Sequence, residues 1–119
     1  GTDDLTLFET QEVEYRFTPL PDMMMDEIDT LVVEVDRAGG YAQALIVDLY
    51  NWETQEYDQY TYLDGDILQF PDTEKDHPLP EPEQYLGADN SVQIRLYYQQ
   101  GIGTARVRKM RITQTGRFS

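Results

Sequence analysis

The chain has 119 residues, of which 39% are hydrophobic and 27% charged, and its net charge is −14. That length fits one domain with a single core, and the balance is that of a folded chain. Cysteine is absent, which removes disulfides, thiolate metal sites and cysteine nucleophiles. No apolar run reaches the roughly 18–20 residues of a membrane span, so no membrane insertion is expected. The charge has the wrong sign for a nucleic-acid or anionic-lipid binder. No basic-plus-apolar leader opens the chain, so any export signal is expected to lie outside it.

Taken in order, residues 1–11 read as a partly flexible lead-in to a single domain spanning 1–119. Glu12 to Phe17 alternates, placing Val13, Tyr15 and Phe17 on one face of a strand. Pro21 to Glu27 fits one helical turn, with Asp22 as its cap. Asp29 to Arg37 reads as a strand with Leu31, Val33 and Val35 inward, and Ala38-Gly39-Gly40 reads as a turn. From Gln43 to Trp52, Leu45, Val47 and Leu49 are inward, with Ile46 and Tyr50 opposite. Asp48 lies inside that apolar run, and if its face is covered it needs a partner.

Tyr57 to Leu63 is rich in tyrosine and favours a strand. Asp64-Gly65-Asp66 turns the chain into a short Ile67–Phe70 segment. Residues 71–90 hold four prolines and few apolar side chains, and read as a long loop. Ser91 to Gln100 alternates cleanly, with Val92, Ile94, Leu96 and Tyr98 on one face and Gln93, Arg95, Tyr97 and Gln99 on the other. Gly101-Ile102-Gly103 is a further turn.

The last strand, Thr104 to Thr115, slips phase: Val107 has one parity, Met110 and Ile112 the other. A β-bulge at Arg108–Lys109 would bring all three to the core side. About eight short strands bounded by turns predict an all-β protein, an antiparallel β-sandwich of jelly-roll type. The alternative is an immunoglobulin-like sandwich.

Charge is segregated. All 23 acidic residues precede Ser91, where only three basic residues stand; the last 29 residues carry six basic side chains and no acid. Apolar residues at strand spacing interrupt the basic tail, so it reads as structure. Arg106, Arg108 or Arg111 is therefore expected to pair with carboxylates of the Glu12–Arg16 or Leu31–Arg37 strands. A separate anion site is the alternative.

Chemistry follows from what is present. The one histidine, His77, lies in the proline-rich segment, and the only serines are Ser91 and Ser119, which argues against a Ser–His–Asp site. A histidine-rich zinc site fails by count. Carboxylates are abundant, so a small carboxylate-based hydrolase stays as the enzymatic alternative; it would need a deep cleft to set two pKa values apart. The aromatic residues point elsewhere. Tyr50, Trp52, Tyr57, Tyr60 and Tyr62 fall within 13 residues, and Tyr97 has polar neighbours in its alternation. Rings with polar tips suit sugar rings and peptide surfaces. Trp52, Tyr57, Tyr60, Tyr62 and Tyr97 are thus the candidate ligand residues. The acid excess suggests a weak structural Ca²⁺, with Asp64 and Asp66 as its expected ligands; Asp22/Asp26 and Asp3/Asp4 are further candidates.

Tyr50-Asn51-Trp52-Glu53-Thr54-Gln55-Glu56-Tyr57-Asp58 resembles a strand–turn–strand element of galactose-binding-like jelly rolls, with the pattern Asn-Trp-x-Thr-x-x-aromatic. Gln55 stands where that family frequently has glycine. The resemblance implies a non-catalytic accessory module, monomeric as a domain, in a larger secreted or cell-surface protein of bacterial origin. Its partner would be a carbohydrate or another protein, and such folds often carry structural Ca²⁺.

Overall fold

Alternating sequences became strands. The computed structural model describes residues 5–8, 12–40, 45–60, 67–74, 78–98 and 104–118. The strands are β1 (Leu5–Phe8), β2 (Glu12–Phe17), β3 (Glu27–Gly40), β4 (Leu45–Asn51), β5 (Glu56–Tyr60), β6 (Ile67–Phe70), β7 (Val92–Tyr98) and β8 (Thr104–Arg117). They form two antiparallel four-stranded sheets, ordered β1-β8-β3-β6 and β2-β7-β4-β5. The protein is an all-β sandwich.

Inward side chains of both sheets make the core. Leu31, Val33 and Val35 of β3 meet Leu45, Val47 and Leu49 of β4, with Val92, Ile94, Leu96 and Tyr98 of β7. Each of the buried aliphatic side chains contributes about 1.5–3 kcal/mol. The bulge in β8 is present. Asp36 pairs with Lys109 and Arg37 with Val107, so Arg108 is the extra residue. Val107 is buried, and Met110 and Ile112 pack on the core beyond the slip. On the outside of this sheet Arg108 meets Asp36 at 3.1 Å and Lys109 meets Glu34 at 3.3 Å. The basic tail pairs with acidic β3, as the segregated charge predicts.

Several sequence expectations change. The lead-in contains strand β1, with Leu7 fully buried. Ala38-Gly39-Gly40 is not a turn: β3 runs on to Gly40, which pairs with Ala105 after a register shift that takes up one extra residue. The helical turn shrinks to a 3-10 turn at Pro21–Met23, and Leu20, not Asp22, occupies the cap position, without a side-chain bond. The proline-rich segment is only partly loop. A 3-10 turn in it, Pro82–Tyr85, buries Pro82 and Tyr85, and Leu79 joins the core. Asp64, Gly65 and Asp66, with Tyr62 and His77, lie outside the described residues. No helix among the described residues is long and apolar enough to cross a membrane.

Candidate functional site

The turn between β4 and β5 is built by Asn51. Its buried side-chain Oδ1 accepts the backbone N–H of Glu53 at 3.0 Å and of Thr54 at 3.1 Å, while Gln55 N–H closes onto Asn51 O at 2.8 Å. This is an Asx turn, and it explains physically why asparagine opens the motif. Gln55 takes φ 61°, the left-handed conformation that glycine adopts without strain. Asn51 Nδ2 donates to Asp58 Oδ2, which also accepts the Tyr85 hydroxyl at 2.8 Å.

Parity divides the candidate aromatics. Tyr60 sits on the inner side of β5, where it stacks edge-on with Phe70 and Tyr85 and shares a 2.6 Å hydroxyl contact with Tyr85. Burial, then its bonds to Tyr60 and Asp58, pushes the Tyr85 hydroxyl far above its ordinary value, so it stays a neutral donor. Tyr60 is therefore part of the packing and does not join a surface patch. Tyr57 and Tyr97 lie on the outer face of the β2-β7-β4-β5 sheet, with Trp52 at its margin.

That outer face is a web of polar and aromatic side chains. Register sets Glu14 of β2, Arg95 of β7, Asp48 of β4 and Gln59 of β5 in one row. Arg95 donates from Nε at 2.8 Å and from Nη2 at 2.7 Å to Asp48 Oδ2. The buried aspartate noted in the sequence has its partner. Burial opposes the Arg95 charge, but Asp48, with Glu12 and Tyr57 adding to it, outweighs burial and the guanidinium pKa is raised. Arg16 donates to Gln93 Oε1, Gln93 Nε2 donates to the Tyr57 hydroxyl, and that hydroxyl donates to Glu14 Oε1. Burial holds the Tyr57 hydroxyl above its usual range, against the Gln93 bond and with Glu14 adding to the rise.

The rings are less open than their number suggests. Arg95 lies 4.2 Å above the Tyr57 ring and Arg16 lies 5.3 Å above Trp52. Tyr50 meets Trp52 and Tyr57 edge-on at 4.9 and 5.3 Å. Trp52 also packs on Gly87, where an added Cβ would come within 3.2 Å of the indole. Tyr97 is half-buried, and it borders a depression of about 260 Å³ with Glu12, Ile46, Asp48, Gln59 and Arg95. Here a ring, an aliphatic floor and several hydrogen-bonding groups converge.

Sequence reasoning singled out the rings and passed over Glu12, Glu14, Arg16, Gln59, Gln93 and Arg95 as site residues. The signal was available in strand parity, because the polar positions of β2 and β7 share one face. Among the described residues no group of three or more histidine or acidic side chains is placed to hold a metal ion. No family model matches the chain, nor does any curated protein or solved structure.

Proposed function

We propose that this chain is a non-catalytic jelly-roll module of galactose-binding-like type, from a secreted or cell-surface protein, and that the outer β2-β7-β4-β5 face binds carbohydrate. Two features of strand order favour the jelly-roll form over the immunoglobulin-like one. Among the described strands, the first and last pair, and all successive ones except β4 and β5 lie in opposite sheets. The observation that carries the binding reading is the depression beside Tyr97. Sugars are held by a ring against their apolar face and by planar polar side chains against their hydroxyls. Tyr97 supplies the first, and Asp48, Arg95, Gln59 and Glu12 supply the second.

The competing hydrolase reading requires two carboxylates facing a reacting bond about 5–9 Å apart. Asp48, the buried acid of this face, is instead neutralised by Arg95, which favours binding over proton transfer. Amide shift mapping during titration with a panel of oligosaccharides tests the proposal. Perturbations centred on Gln59, Arg95 and Tyr97 are expected; perturbations elsewhere, or none, would reject it. A structural Ca²⁺ at Asp64 and Asp66 belongs to the same reading. It should raise the melting temperature in millimolar Ca²⁺ over chelator at matched ionic strength, because native-state binding stabilises by RT ln(1 + [L]/Kd).

A further inference from the structure

The depression beside Tyr97 carries a charge, and that charge narrows its ligand; the inference rests on the carbohydrate reading. The chain has nine basic residues, and only Arg16 and Arg95 lie on strands of the β2-β7-β4-β5 sheet. The others lie on β3, on β8 or in the proline-rich segment. The same four strands carry the acids Glu12, Glu14, Asp48, Glu56 and Asp58. Both arginines are engaged. Arg95 places two donors on Asp48 Oδ2 and covers the Tyr57 ring. Arg16 bonds Gln93 and covers Trp52, four residues along β2 from Glu12, or about 13 Å.

Glu12 differs from the other acids of this face. Asp48 is neutralised by Arg95, and Glu14 accepts the Tyr57 hydroxyl. Glu12 is exposed at the rim of the depression, and Arg95 feels its charge behind that of Asp48. It makes no ion pair or hydrogen bond among the described side chains. Register sets it directly opposite Tyr97, and Tyr97 opposite Ile46. Such neighbours stand about 4.5–5.5 Å apart between Cβ atoms. A carboxylate, an aromatic ring and an aliphatic side chain thus cross the depression in one row. A ring face and a carboxylate side by side attract an ammonium together. The carboxylate of a uronic acid would instead meet Glu12, with the Arg95 charge already committed to Asp48. We propose that the outer β7 face takes an amino sugar with a free amine, its ring on Tyr97 and its ammonium on the Glu12 carboxylate. Acetylation of the amine removes the charge that Glu12 selects.

The test uses the whole chain with three disaccharides: chitobiose, its N-acetylated form and a digalacturonate. Each is titrated by calorimetry at one ionic strength and at mildly acidic pH, where the free amines are protonated. Chitobiose should bind about tenfold more tightly than the N-acetylated form, the size expected of one charge-assisted pair. The digalacturonate should bind more weakly than either. Glu12→Gln, a change at an exposed position, should abolish the preference for the amine. Glu81→Gln removes the same charge from an exposed position outside this sheet, and should keep the preference. A preference that survives in Glu12→Gln would be the pull of the whole acidic chain and would overturn the proposal. So would a capped lysine that binds as tightly as chitobiose, because the sugar ring would then contribute nothing. If the disaccharides bind equally and Tyr97→Ala loses them all, the carbohydrate reading stands and this one falls. If no sugar binds, both fall.

Discussion

Arg95 and Asp48 stand directly opposite one another on β7 and β4, and both guanidinium contacts end on the same carboxylate oxygen. The Asp48 side chain is 7% exposed and that of Arg95 31%. The aspartate therefore depends on the arginine more than the reverse. Arg95→Ala should destabilise the protein by about 1–3 kcal/mol, because it leaves a buried acid unpaired where some water can reach it. Adding Asp48→Leu to that variant should recover a good part of the loss. Urea unfolding of the two variants and the parent checks both statements.

Gln55 offers a gain instead of a loss. Its φ of 61° strains a side-chain-bearing residue, and the turn around it is already closed by Asn51. Gln55→Gly removes a strain of about 1–2 kcal/mol but adds unfolded-state freedom of about 0.4–1 kcal/mol. A net stabilisation of up to about 1.6 kcal/mol is expected from the difference. A lower melting temperature in Gln55→Gly would show that this account of the turn is wrong.

At Gly116 the space decides. A Cβ there would fall on the backbone oxygen of Glu27, next to the register shift between Ile28 and Thr30. Backbone cannot move aside as a flexible side chain can, so Gly116→Ala should cost about 1–3 kcal/mol or more and detach the β3–β8 end. Amide exchange at Glu27 and Ile28 would rise with it. A melt unchanged from the parent would contradict the close approach.

The parts of the fold that were legible share one property, a clear period. β2 and β7 alternate without interruption, and β7 buries Val92, Ile94, Leu96 and Tyr98 as its alternation predicts. The slip in β8 exposed the Arg108 bulge for the same reason. Asp48 announced its need for a partner, but Arg95 is 47 residues away and only register brings the two together. β1 was too short to declare itself. Tyr85 and Leu79 reach the core from a segment whose prolines suggested surface loop. Tyr60 was grouped with Tyr57 by nearness along the chain, although three residues of strand put them on opposite faces. Ile46 is buried on the side of β4 that alternation would leave open, at the bottom of the depression and opposite Tyr97 in the β4–β7 register.

Carbohydrate binding by the outer β7 face is the central claim, and glycan-array binding of the parent chain against Tyr97→Ala and Trp52→Ala, paired with thermal melts, tests it most directly. Tyr97→Ala should lose most of the glycan signal with little change in melting temperature. Trp52→Ala should instead lose about 3 kcal/mol of stability, since the indole is packed between Arg16, Tyr50 and Gly87. A parent chain that binds no glycan, or a Tyr97→Ala variant that binds as the parent does, would contradict the account.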